Sequence, residues 1–252
     1  MSELLLCPDC HTPVQCRVKL AGVERIMPCL CQCGQIKRQK EKEQFREYQQ
    51  QLEIRRLKTE GIQDCLLRDC SFESARPSPY LERAKRYVEK WEEVWEKNHG
   101  LLFWGAVGTG KSYLAACIAN ALIEQGVPAL MTSLPKMLNQ IGGMYPQERC
   151  RYLSSLSKYR LLVLDDFGIE RSTEYALEQI FLIVDERYKS KQPLILTTNL
   201  TLMDFQNPAD AAKARIYSRI LEMCVPFRFE GADRRMEAAN KKLHAVKKAI
   251  NP

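Results

Sequence analysis

The stretch Gly105-Ala106-Val107-Gly108-Thr109-Gly110-Lys111-Ser112 decides the fold. The apolar run Leu101 to Trp104 precedes it, and a helix-forming run, Tyr113 to Leu122, follows it. A strand, a glycine-rich loop and a helix in that order build a phosphate-binding loop. The glycines let the backbone curl so that its N–H groups point inward at phosphate oxygens. The helix that follows adds the positive end of its dipole. Lys111 then reaches the β- and γ-phosphates, and the Ser112 hydroxyl is a ligand for Mg²⁺. A plain glycine-rich turn before a helix is the ordinary alternative. The full spacing, with both flanks, favours a nucleoside triphosphate site.

Outward from this loop the chain alternates apolar strands and helices. Strands are predicted at Leu101–Trp104, Ala129–Thr132, Leu161–Asp165, Leu194–Thr198 and Val225–Phe229. Continuous apolar strands with helical crossovers predict an α/β fold, with a five-stranded parallel sheet between helices. The strand Leu161-Leu-Val-Leu ends in Asp165 and Asp166. An acidic residue at such a strand tip sits beside the phosphate loop and can hold the Mg²⁺ shell. Asp165 is the expected magnesium residue, and Asp166 the one placed to orient an attacking water. The strand Leu194-Ile-Leu-Thr-Thr ends in Asn199, whose amide can bond a phosphate or that water. Further on, Arg215 and Arg219 lie one helical turn apart, and Arg234-Arg235 follow Gly231-Ala-Asp. Arginine stabilises charge developing on a transferred phosphoryl group, although a pair on a helix is more often surface charge.

The N-terminal part reads differently. Six of the eleven cysteines fall in the first 33 residues. Cys7 and Cys10 form one turn-borne pair, and Cys29, Cys31 and Cys33 offer three thiols for a second. Two such turns around a short hairpin suit a tetrahedral Zn²⁺ site, which replaces a core that so few residues cannot build. His11 or Cys16 can substitute for one ligand, and an iron–sulfur centre or inert reduced thiols are the other readings. Cys117 and Cys224 lie in apolar surroundings and read as buried filler. The expected organisation is a zinc-ribbon-like module over residues 1–36, a charged linker helix over 37–61 ended by Gly61, and a nucleotide-binding domain over 62–252. Within the last, Tyr80 to Asn98 reads as one amphipathic helix, with its tryptophans as core contacts and Gly100 as its cap.

Composition narrows the class. Of the 252 residues, 45% are hydrophobic and 27% charged, which excludes a disordered chain. No apolar run is long enough to span a bilayer, and Met1 to Leu6 is too short for a signal peptide, so no membrane partner and a cytoplasmic location are expected. The net charge of +7 points to a polyanion partner. Met144 to Arg160 interleaves Arg149, Arg151, Lys158 and Arg160 with Tyr152 and Tyr159, a pattern that suits single-stranded DNA; a solvated helix face is the bland alternative.

The order of phosphate loop, Leu161–Gly168, Leu194–Asn199, Ala214–Ile220 and Gly231–Arg235 resembles the AAA+ ATPases of the DnaC/DnaI helicase-loader and IstB-like group. The resemblance covers about residues 62–240. It implies that Gly105–Ser112 is Walker A, Asp165 and Asp166 Walker B, and Asn199 sensor 1. It marks Arg219 as the arginine finger and Arg235 as the sensor-2 arginine, with Arg215 and Arg234 as their competitors. It implies ATP and Mg²⁺ as ligands, with ATP at interfaces between self-associating subunits. It also implies loading of a replicative DNA helicase onto single-stranded DNA, with the zinc module and charged helix holding the helicase. A transposition helper of the IstB type, acting on duplex DNA with a transposase, is the alternative. The chain has Asp-Asp where many AAA+ enzymes have Asp-Glu, which implies slow, switch-like hydrolysis. Little chain follows Phe229, so the helical lid is expected to be short or absent.

Overall fold

A computed structural model describes residues 4–20, 22–168 and 173–250. Met1 to Glu3, part of the opening segment weighed above as a leader, lie outside the described residues, as do the last two residues of the tail. The elements in chain order are β1 (Gln15–Leu20), β2 (Val23–Pro28), α1 (Gln32–Gly61), α2 (Pro79–Glu89), α3 (Trp91–Glu96), β3 (Gly100–Gly105), α4 (Lys111–Glu124), β4 (Ala129–Ser133), α5 (Leu134–Gly142), α6 (Pro146–Ser155), β5 (Leu161–Phe167), α7 (Glu174–Ser190), β6 (Leu194–Thr198), α8 (Leu202–Gln206), α9 (Ala211–Met223), β7 (Cys224–Phe229) and α10 (Arg234–Ile250). The chain divides into two compact units, Met1–Glu53 and Ile54–Pro252, with the boundary inside α1.

In the first unit β1 and β2 form an antiparallel hairpin in which Gln15 pairs with Pro28 and Leu20 with Val23. Cys7 and Cys10 lie on the turn before it, Cys16 on β1, Cys29 and Cys31 on the link after β2, and Cys33 in the first turn of α1.

The second unit is built on five parallel strands in the order β4-β5-β6-β3-β7. Side chains along a strand alternate between faces, and the two cores follow that alternation. Leu101, Phe103, Leu161, Val163 and Ile195 face one core with α2, α3 and α4; Leu102, Leu162, Leu164, Leu194 and Leu196 face the other with α5, α7 and α9. The expected five-stranded parallel sheet between helices is the observed one. Trp91 is buried in the first core, and Cys117 and Cys224 are buried as well.

Two local expectations need correction. Tyr80 to Asn98 is two helices, because Lys90 leaves helical geometry at φ −99°, ψ 25° and joins α2 to α3. Gly100 is the first residue of β3 and caps no helix. The left-handed turn falls on Asn98 (φ 53°). A side chain at Gly100 would run into the Leu194 carbonyl, so glycine there permits close strand packing.

Buried Arg187 ties α7 to the sheet. It is 0% exposed and donates to the backbone carbonyls of Leu156, Tyr159, Arg160 and Pro193 and to Gln192 Oε1. Burial lowers its pKa to about 9, so it still carries its charge at neutral pH. These bonds fix the turn that enters β5 and the start of β6, the two strands that end in the acidic and amide residues.

Candidate nucleotide site

Gly105 to Ser112 leave β3 and enter α4. Gly108 (φ 75°) and Gly110 (φ 99°) occupy left-handed conformations that turn the loop back on itself. Gly110 is the N-cap of α4, which therefore begins at Lys111. Thr109 is buried and closes the loop by donating from Oγ1 to the Ala106 carbonyl at 2.9 Å. Lys111 is 7% exposed. Its Nζ donates to the carbonyls of Gly105 (2.8 Å) and Ala106 (2.7 Å) and to Asn199 Oδ1 (2.9 Å). The ammonium thus donates to two loop carbonyls and one amide oxygen, with nothing acidic in hydrogen-bond contact among the described residues. Burial depresses the Lys111 pKa, while the nearby Asp166 and Asp165 oppose that shift.

The acidic pair sits on an irregularity in β5. Leu164 pairs with Leu196 and Phe167 with Thr198, so Asp165 and Asp166 together stand against Thr197. Thr197 Oγ1 donates to Asp165 Oδ1 (2.5 Å) and accepts from the Asp166 backbone N–H (3.1 Å). Asp166 adopts φ 56°, a conformation that aspartate tolerates better than most residues. The bulge aims successive carboxylates differently, and Asp166 lines the cavity. Burial raises the Asp166 pKa and Asp165 adds to the rise; Arg235 and Lys111 pull it back down.

These parts enclose a cavity of about 630 Å³. Val107, Gly108, Gly110, Lys111 and Ser112 line it together with Asp166 and Asn199. Arg234 and Arg235 at the start of α10 complete it. The Arg234 N–H donates to the Gly108 carbonyl at 3.0 Å, and the Arg234 guanidinium packs against Gly110. Arg235 is the arginine whose charge reaches both Lys111 and Asp166. Gly105, Ala106, Thr109 and Asp165 are not in the cavity wall; the first three shape the loop, and Asp165 is held by Thr197.

Arg219 lies elsewhere. Its Nη2 pairs with Asp185 Oδ1 at 2.9 Å, and its guanidinium stacks over Phe181 with 4.4 Å to the ring centroid. Arg215, one turn earlier on α9, is exposed.

Sequence reasoning missed the wall contributed by Leu67, Ser74, Arg76 and Tyr113. Ser74 Oγ and Tyr113 OH lie 2.7 Å apart. Asn120 of α4 holds this wall by donating to the carbonyls of Leu67 (2.8 Å) and Cys70 (3.0 Å). The connecting segment has no periodicity to betray such a role; the only available signal was Tyr113 directly after Ser112. Asp233 was also passed over. Its Oδ1 accepts from the Arg235 N–H at 2.8 Å, and its carboxylate packs on Gly108.

In the first unit the sulfurs of Cys7, Cys10, Cys31 and Cys33 lie within 4.8 Å of one another. Cys7 and Cys33 are 3.6 Å apart, Cys31 and Cys33 3.2 Å. Four thiolates at Zn–S distances near 2.3 Å have sulfurs about 3.8 Å apart, so the cluster fits zinc in size and donor type. Cys7 N–H donates to the Thr12 carbonyl and His11 N–H to the Cys7 carbonyl, closing the first turn. The Gly34 N–H points to Cys31 Sγ at 3.4 Å at the start of α1. Hydrogen bonding, led by Thr12, brings the Cys10 pKa down to about 5, while hydrogen bonds to the neighbouring thiols, Cys31 first, push Cys33 up. Cys29 is outside the cluster; its thiol turns to the Pro13 carbonyl and to Cys16.

Fold and cavity define a P-loop nucleotide-binding protein of the AAA+ class. A family model described as IstB-like ATP binding protein matches residues 35–241, and the chain belongs to that family. It is 31% identical over 142 residues to the replicative helicase loader DnaC of Escherichia coli (strain K12), covering 53% of this chain and 57% of that protein. It is 24% identical over 150 residues to the replicative helicase loader DnaI of Bacillus subtilis (strain 168), covering 55% of this chain and 48% of that one. The chain therefore spans about half the length of these curated relatives. A crystal structure of DnaI has a similar fold, with a TM-score of 0.58 at 23% identity over 71% of this chain and 99% of that chain. Among the described residues, no helix is long and apolar enough to cross a membrane.

Proposed function

We propose that this protein is an ATP-dependent loader that places a replicative DNA helicase on single-stranded DNA. The observation that carries the nucleotide chemistry is the convergence of Lys111, Asn199, Asp166 and Arg235 on one cavity. The likeness to helicase loaders supports the rest.

Lys111 exchanges its carbonyl contacts for phosphate oxygens when ATP enters. The backbone N–H groups of the loop and the α4 N-terminus hold the same phosphates. Ser112 and Asp165 would hold Mg²⁺, which neutralises phosphate charge when bound. Asp166 orients the attacking water; as a carboxylate it is a weak base, so hydrolysis is slow and acts as a switch. Asn199 holds the γ-phosphate or the water, and Arg235 stabilises the developing charge from above. Arg219 completes the site of a second copy. In this reading residues 1–36 with a bound zinc, and the helix over 37–61, contact the helicase, while residues 62–252 are the ATPase. The exposed apolar residues Ile36, Phe45, Tyr48 and Leu52 of α1 support a docking role.

Single-stranded DNA runs along α6. Arg151 on α6 and Lys158 in the turn after it are exposed, but Arg160 is engaged with Glu92 (2.8 Å) and stacked on Trp95 (4.0 Å), so it belongs to the fold. Replacing Arg149 and Arg151 with alanine weakens single-strand binding and lessens its salt dependence; unchanged affinity removes α6 from the DNA site.

The deciding experiment mixes the protein with a replicative helicase in ATP or ADP and reads complex mass by light scattering. Transfer of the helicase onto single strands coated by binding protein is then followed. A stoichiometric complex with ATP-dependent transfer is expected. No complex, with ATP-dependent oligomers on duplex DNA instead, overturns the reading.

A further inference from the structure

Asp185 is an aspartate on α7 with only 11% of its side chain exposed. Two cations share it. Lys189, one turn later on the same helix, pairs with Oδ2 at 2.7 Å, and Arg219 of α9 pairs with Oδ1 at 2.9 Å. Arg219 is also held flat against Phe181 and lies 5.6 Å from the Tyr188 ring centroid. Its Nη1 is buried and has no hydrogen-bond partner among the described residues. The guanidinium is thus stacked and charge-paired with one donor edge unused, an arrangement that loses little when a better anion appears.

The double pairing matters physically. A buried carboxylate that loses its only cation is left uncompensated, at large cost. Asp185 keeps Lys189 when Arg219 departs, so the departure leaves no orphaned charge. Lys189 is 71% exposed and already in full contact with Oδ2.

We propose that Asp185 is a positioning residue that restrains Arg219 in the free subunit and releases it to the nucleotide phosphates of a second copy, with Lys189 as the cation that makes release cheap. This rests on the reading of Arg219 as the residue that completes a neighbour's site. Asp185 then sets the protein concentration at which ATP drives assembly and hydrolysis.

The test measures ATP hydrolysis and light scattering of the full chain against protein concentration. Asp185→Asn keeps the shape and removes the charge. It lowers the midpoint concentration by about three- to tenfold, the loss of one partly exposed charge pair. Lys189→Ala, on the surface and harmless to folding, leaves Asp185 wholly to Arg219 and raises the midpoint. The double variant Asp185→Asn with Arg219→Ala hydrolyses no better than Arg219→Ala alone. An unmoved midpoint in both single variants overturns the proposal. So does a gain from Asp185→Asn that persists without Arg219. If Arg219→Ala itself assembles and hydrolyses like the unaltered protein, the reading beneath the proposal fails, a result distinct from failure of the Asp185 restraint.

Discussion

Asp165 and Asp166 are neighbours in sequence with different surroundings. Thr197 holds Asp165 by a short hydrogen bond, whereas Asp166 faces the cavity under the opposing influences of burial and the charges of Lys111 and Arg235. One substitution separates the role of Asp165 from binding. Asp165→Asn keeps nucleotide affinity within a few-fold, because Lys111 and the loop N–H groups remain, and lowers hydrolysis by about a hundredfold or more, the scale for losing one electrostatic group at a phosphoryl-transfer site. Fluorescent-nucleotide titration and phosphate release measure the two quantities. Equal loss of both would move Asp165 from the chemistry to the architecture of the pocket. Identity and order of these residues were plain from the strand pattern. The bulge was not, because it arises from how β5 pairs with β6, and the register of a strand is set by its neighbour.

At the scale of elements, α7 does two jobs through opposite sides of one turn. Arg187 points into the sheet and satisfies backbone carbonyls of the segments that enter β5 and β6. Asp185 points to α9. Arg187→Met fills similar space and leaves those carbonyls without donors, so stability falls by about 3 kcal/mol in denaturant titration. A change below the scatter of the titration would show that water replaces the lost donors. The helix itself was legible, since its apolar positions recur at helical spacing. Its charged residues were not, because an arginine reads as surface until the carbonyls it meets are known. The break of Tyr80–Asn98 into α2 and α3 has a similar cause. Nothing in the local sequence forbids helix at Lys90, and the packing of Trp91 into the core redirects the chain there.

On the whole-molecule scale the chain is two compact units, each with its own source of stability. The larger one has two apolar cores on a parallel sheet, while the hairpin unit has few buried side chains and a four-cysteine cluster. On the proposed function, replacing Cys7 and Cys10 with serine therefore abolishes zinc uptake, measured by elemental analysis, and with it the proposed helicase binding. ATP affinity stays within about twofold, since the cysteine cluster and the nucleotide cavity belong to separate compact units and share no residues. Parallel loss of ATP affinity would mean that the units depend on one another. What the amino-acid sequence determined by itself was the class: a glycine-rich loop between strand and helix, acidic and amide strand ends after it, and apolar runs that only a covered parallel sheet can bury. Those are local signals with short-range physics. Tertiary structure alone decided which three-dimensional neighbours complete each group. It brought Cys31 and Cys33, not Cys29, to Cys7 and Cys10. It brought Arg235 to the same cavity as Lys111, and it gave Leu67, Ser74 and Tyr113 a wall of that cavity. These contacts join residues far apart in the chain, and their geometry depends on the packing of whole elements.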